Sequence, residues 1–294
     1  MTPINIMSLR HSAFYTPLLV CIRGGFLTEE GLQPHYSVQT PQRTVVDTIR
    51  RGETHVAQSA VATSFAALEA SQDVDIVHFA QINERDGFFL AGREADDCFS
   101  WSTLAGREVL VDHFFQPLAM FKYACHKQGV QFDDIRIIDA GDVAAIDRAF
   151  RDGRGDFVHQ QGPAPQQIER DGIGHVLASV GEPIGPVAFS SLCAHRDWLK
   201  TEMAAAFMRA YRKARAFTVT ASPEELASMI ADFLPDIEKT VLVATLQTYQ
   251  KLGCWSLDTA ISPLAYENLL DVFSYSGLIT QRHPYESIIV SPPL

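Results

Sequence analysis

Strand and helix signals alternate from Ile4 to Leu192, and that alternation restricts the fold more than any other feature of the chain. An apolar run, Ile4 to Ser8, reads as a strand. The loop Leu9-Arg10-His11-Ser12 follows, then a helix through Val20 and Arg23 that the pair Gly24-Gly25 can stop. His35 to Gln39 reads as a second strand, and Thr40-Pro41 as the cap and first position of the next helix. That helix carries Val45, Val46 and Ile49 on one face and ends at Gly52, and His55-Val56-Ala57 reads as a third strand. Strands joined through helices pair in parallel, so the expected class is α/β.

The same plan returns about a hundred residues later. Glu108 to Asp112 is a strand, Leu118 to Lys127 a helix, and Ile135 to Ile138 a strand. Asp142 caps a helix bearing Val143, Ile146, Ala149 and Phe150, Gly153 stops it, and Asp156-Phe157-Val158 is the strand beyond. Two similar units predict two lobes, each a mainly parallel mixed sheet flanked by helices. Ile76 to Gln81 and Gly87 to Ala91 read as strands leading out of the first lobe, and Pro186 to Leu192 as the strand returning to it. The expected division is 1–83 with 189–294 for the first lobe and 84–188 for the second. From Ala204 onward the chain reads as helices packed outside the first lobe, with nothing that suggests chemistry.

Composition narrows the function classes. The 294 residues are 47% hydrophobic and 20% charged, a globular profile with enough chain for a full core. A formal charge of -11 repels phosphate backbones and anionic surfaces, which argues against a nucleic-acid partner. Phe14 to Ile22, the longest apolar candidate, is too short for a membrane helix and contains Pro17, so no membrane insertion is expected. Met1-Thr2-Pro3 runs straight into a strand, so the expected location is the cytoplasm, or the periplasm if a leader has been removed. The 5 cysteines have no CxxC or zinc spacing and read as reduced thiols.

The segment Ile4 to Leu68, with Gly24-Gly25-Phe26-Leu27-Thr28-Glu29-Glu30-Gly31-Leu32 and Ile49-Arg50-Arg51-Gly52-Glu53-Thr54-His55-Val56-Ala57, resembles the opening of type II periplasmic-binding-protein chains. The similar branch serves nitrate, alkanesulfonate, taurine and thiamine-pyrimidine uptake. The resemblance continues through Leu104-Ala105-Gly106-Arg107, Gly153 to Val158, and Ile261-Ser262-Pro263 to Ile279. It implies two α/β lobes joined by crossover strands, a small solute held between them, closure by a hinge near Asn83 to Gly87 and Gly181 to Ala188, and an ABC transporter permease as partner.

In parallel sheets a ligand sits beyond the carboxyl ends of the strands. Those ends supply the candidates. Arg10, His11 and Ser12 precede a helix and suit an anionic or electron-rich group, Arg10 with a forked pair of donors. Gln39, Gln58 and Ser59 end the other strands of the first lobe, and the Gln58 amide both donates and accepts. His113, Phe114, His159 and Gln160 arise at the corresponding ends of the second lobe. Tyr15 and Phe114, with Phe14 and Phe115, are candidates for a stacking wall. A cleft containing His11, His113 and His159 is one arrangement of these histidines, but no metal or cofactor is expected.

An enzyme on the same fold is the alternative. The chain lacks G-x-S-x-G, G-x-x-x-x-G-K-[ST] and H-E-x-x-H, and Gly172-Ile173-Gly174 lacks a third glycine. Gln58 and Ala62 stand where thiamine-pyrimidine synthases carry lysine and histidine, and only Cys193 remains of their cysteine-rich run. Arg10-His11-Ser12 occupies the place of the aryl-sulfinate desulfinases' cysteine, while Cys21 falls a helix later and is expected in the core. Decarboxylases of related fold would use the cleft histidines as acid or base.

Overall fold

Ten strands form two sheets of the same design in the computed structural model, which describes all of Met1–Leu294. The first sheet contains β1 (Thr2–Ser8), β2 (Leu32–Val38), β3 (Val56–Ser59) and β4 (Ile76–Asn83). The second contains β5 (Phe88–Gly92), β6 (Glu108–Val111), β7 (Arg136–Ile138), β8 (Phe157–Gln161) and β9 (His175–Ser179). The last strand, β10 (Ser190–His195), returns to the first sheet, giving the orders β2-β1-β3-β10-β4 and β7-β6-β8-β5-β9. In each sheet the first three strands are parallel and the fourth runs against both neighbours. That reversed strand is the one entered from a crossover: β5 follows β4, and β10 follows β9.

Local sequence explains much of this. The interior strand β1 buries Ile4, Ile6 and Met7, as a parallel strand covered on both faces must. Its neighbour β2 accommodates Pro34 because it is an edge strand, where one face of the backbone makes no ladder bonds. The Asp142 carboxylate caps the helix Val143–Arg151 by accepting from the Ala145 amide at 2.8 Å. Ser222 and Glu225 form a capping box on the helix Pro223–Ile230.

Three expectations need correction. Thr40-Pro41 does not open a helix: Thr40 and Arg43 close a tight turn with reciprocal backbone bonds, and Thr44 caps the helix Val45–Arg50 instead. Pro186 to Phe189 is crossover and not strand, because the Val187 and Ala188 amides donate to the Glu84 and Ala265 carbonyls, leaving no ladder until Ser190. The edge strand β9 and the helix Ala164–Arg170 lie in a stretch from which no elements were expected.

The carboxyl-terminal helices do more than cover the first lobe. Lys239–Lys251 packs against Ala164–Arg170 of the second sheet's lobe. Its buried Tyr249 hydroxyl lies 3.2 Å from the Gly87 carbonyl and 3.1 Å from the Gly162 carbonyl, tying the crossover to β8. From the helix Glu202–Thr220, the fully buried Arg215 donates to the carbonyls of Gln81, Ile82 and Ser256 at 2.7, 2.9 and 2.6 Å, and to the Glu84 carboxylate at 3.0 Å. Its guanidinium holds the end of β4 just before the chain leaves the first lobe.

The two crossovers touch. A Cβ on Gly181 would lie 2.3 Å from the Asp86 carbonyl oxygen, so only glycine permits this approach. Gly87 is constrained similarly by the Phe14 ring, 2.5 Å from where its Cβ would stand. One apolar cluster of 64 residues runs through both lobes and includes Ile4, Phe14, Phe88 and Phe121. No helix is long and apolar enough to cross a membrane.

Candidate functional site

The carboxyl ends of β1 and β3 face those of β6 and β7 across a cavity of 690 Å³. The first lobe supplies Leu9, Arg10, Tyr15, Gln39, Gln58 and Thr63. The second supplies Asp112, His113, Phe114, Gln116, Asp139 and Asp142, while Phe189 enters from the returning crossover and Ser190 from the start of β10.

The orientation of several polar groups follows from their partners. The Gln58 side-chain oxygen accepts from the Leu9 amide at 3.1 Å, which fixes the amide and leaves Nε2 with only long contacts, to the Ser59 carbonyl at 3.4 Å and the Ser190 hydroxyl at 3.5 Å. His113 Nδ1 lies 2.8 Å from the Val111 carbonyl. A carbonyl cannot donate, so Nδ1 carries hydrogen and Nε2 of the neutral ring is an acceptor. Asp112, Asp139 and Asp142 each use one oxygen to accept a local backbone amide, from Phe114, Gly141 and Ala145 at 2.9, 2.9 and 2.8 Å. Gln116 donates to the Phe189 carbonyl at 3.1 Å, while its oxygen is buried without a partner. Acceptors therefore dominate the lining, and Arg10 is the one fixed cation facing three carboxylates.

Arg10 and Ser12 also join the lobes: Arg10 Nη2 and the Ser12 hydroxyl donate to the same Gln161 side-chain oxygen at 3.2 and 2.9 Å. Phe114 stands at the cavity wall with 72% of its surface exposed, an arrangement that leaves a ring face uncovered. Gln39 accepts from the Val45 amide at 3.4 Å and remains on the cavity.

Other candidates lie elsewhere. Ser59 does not line the cavity; its hydroxyl pairs with that of Thr63 at 3.2 Å. His11 and Gln160 line a second chamber beyond Arg10. His159 is fully buried between the rings of Phe88 and Phe121, each centroid 4.8 Å away, and neither ring nitrogen has a hydrogen-bond partner. Burial pushes its imidazole down to about 3, so the ring is neutral. The three histidines consequently do not converge: His113 faces the main cavity, His11 the chamber, and His159 the core. Phe14 is likewise core, against Tyr249 and Phe189, and Phe115 packs on Phe273.

Sequence reasoning passed over Gln116, Phe189 and Ser190. Gln116 stands in the first turn of the helix Phe115–Lys127, past the strand end at Val111 where candidates were sought. Phe189 and Ser190 were hidden by placing the returning strand too early.

Two matched sheets, paired crossovers and a cavity at the facing strand ends define the type II periplasmic-binding-protein fold. The chain belongs to the NMT1/THI5-like family, whose sequence profile matches residues 13–226. It is 27% identical over 294 residues to YtlA from Bacillus subtilis (strain 168), a protein assigned by name as a binding protein, with 98% of this chain and 88% of YtlA covered. The alkanesulfonate-binding protein SsuA from Xanthomonas axonopodis pv. citri, solved with MOPS bound, superposes with a TM-score of 0.73 at 12% identity, covering 99% of each chain. The periplasmic aliphatic sulphonate binding protein SsuA from Escherichia coli gives 0.72 at 16% identity, over 99% of this chain and 93% of that one.

Proposed function

We propose that this protein captures a small ring-bearing solute, rich in N–H donors and neutral or cationic, and delivers it to an ABC importer. The acceptor-rich lining of the 690 Å³ cavity carries the reading: Asp112, Asp139, Asp142, His113 Nε2 and the orphan Gln116 oxygen all await hydrogen. An aminopyrimidine meets two of these acceptors with the N–H groups of its exocyclic amine, gains a further donor if a ring nitrogen is protonated, and can stack on Phe114 or Tyr15. A sulfonate, the class named for the SsuA proteins, would meet three carboxylates and only Arg10. Delivery to an importer is supported by the binding-protein fold and by the names of YtlA and the two SsuA proteins as binding proteins, one of them periplasmic.

Enzyme chemistry through cysteine has little support. Cys21 and Cys193 are buried, and desolvation raises both thiols, Cys193 to about 12, so neither is a ready nucleophile.

The test is thermal melting at pH 7.5 with 4-amino-2-methylpyrimidine, taurine and nitrate, followed by calorimetry and analysis of the recovered ligand. Saturation at a hundred times the dissociation constant raises the melting temperature by about 5–10 °C. The aminopyrimidine is expected to do so and to be recovered unchanged. Tighter binding of taurine or nitrate, or conversion of the pyrimidine to product, would overturn the proposal.

A further inference from the structure

Beyond Arg10 the cleft opens into a second chamber of 470 Å³ that shares Arg10, Asp112 and Val143 with the main cavity. Its apolar walls include Ile146 from one helix of the second lobe and Leu234 and Ile237 from the carboxyl-terminal segment. Gln160, on β8, lines it with only 1% of its surface exposed. Neither the nitrogen nor the oxygen of that side-chain amide has a hydrogen-bond partner in the protein. Burying both halves of a primary amide unpaired is costly, and such groups are rare unless something else satisfies them.

The charges around the chamber select what that partner is. Arg10 and Arg151 balance Asp112 and Asp147, and Arg151 is already held by Asp147 at 2.6 Å and Asp171 at 2.7 Å. No net field favours an ion. A side-chain amide offers an N–H donor beside a carbonyl acceptor, and its complement is a group with adjacent C=O and N–H: a primary carboxamide, a lactam or a pyrimidinone edge. A sulfonate or carboxylate would set lone pairs against Gln160 Oε1, and an ammonium would set hydrogens against Nε2.

We infer that this chamber is a second subsite, in which Gln160 pairs through two hydrogen bonds with a neutral amide-bearing arm of the solute. The inference rests on the main cavity being the place where the ring binds. The ligand is thus two-part, with a donor-rich ring before Arg10 and an amide arm behind it.

Selective ¹⁵N labelling of glutamine, with side-chain NH₂ signals assigned by single Gln→Leu substitutions, tests both places at once. Gln160 reports on the chamber; Gln58 and Gln116 report on the main cavity. The protein is titrated with benzamide, benzylamine and benzenesulfonate. Benzamide is expected to move the Gln160 signal saturably and benzenesulfonate to leave it in place. Gln160→Leu is expected to weaken benzamide about tenfold, read from the Gln58 and Gln116 signals, which also show that the variant is folded. Movement of Gln58 and Gln116 with a silent Gln160 overturns the subsite and leaves the main-cavity reading intact. An equal response of Gln160 to benzenesulfonate also overturns it. If no glutamine responds to any probe, both readings fall.

Discussion

Asp86 lies where the two crossovers meet, wholly buried, with one oxygen accepting from the Phe88 amide at 2.6 Å and the other without a partner. Desolvation, reinforced by the nearby Asp112 carboxylate, pushes its carboxyl up to about 7 from an ordinary 3.8. The folded protein therefore holds this proton over a range where the unfolded chain has released it, so stability attributable to Asp86 falls as pH rises from about 4 to about 7 and is level above that. A shift of about 3 units at 1.36 kcal/mol per unit amounts to ~4 kcal/mol. Asp86→Asn keeps the acceptor for Phe88 and cannot ionise, so it mimics the protonated acid. The variant is expected to match the parent near pH 4 and to exceed it by ~4 kcal/mol at pH 8. Urea unfolding of both proteins at half-unit pH intervals, compared at constant m-value, gives the difference directly and cancels the titration of every other group. A difference that is flat with pH, or a variant weaker than the parent at pH 8, would refute the placement of a buried ionisable acid at this crossing.

Replacing His159 by Phe removes two unpartnered ring nitrogens from an aromatic stack, and urea unfolding at pH 7 is expected to show a gain of about 1–3 kcal/mol. Because burial depresses this imidazole from 6.5 to about 3, the unfolded chain takes up a proton that the folded ring refuses as pH falls through that interval, so stability is lost there and the Phe variant is expected to resist acid better, as far-UV circular dichroism at falling pH would show. Arg215→Met strips three carbonyls and Glu84 of their shared donor and is expected to cost about 3–5 kcal/mol, read from the shift in urea midpoint. Asp112→Asn replaces a largely buried carboxylate of the cavity and is expected to weaken an aminopyrimidine about tenfold by calorimetry while sparing neutral probes.

Much of the architecture was legible because short-range signals were consistent with one another. The strand patterns beginning at Ile4 and Val109, the stop at Gly24-Gly25 and the Asp142 cap each act within a turn or two, and together they disclosed a repeated βαβ plan. The strand ends at Arg10, Gln58 and His113 could be placed near a common cleft for the same reason, since parallel strands bring their carboxyl ends to one edge.

What the residues alone determined is periodicity, punctuation and the repeat, all written in neighbours close along the chain. Only tertiary structure decided which polar groups meet: that His159 slides between Phe88 and Phe121 while His113 faces the cavity, that Gln161 is claimed by Arg10 and Ser12, and that Leu234 and Ile237 wall a chamber in the cleft. These outcomes depend on crossover paths and on packing between segments far apart along the chain, and an imidazole or an amide carries no local mark of whether its surroundings will be water, carboxylate or a phenyl ring.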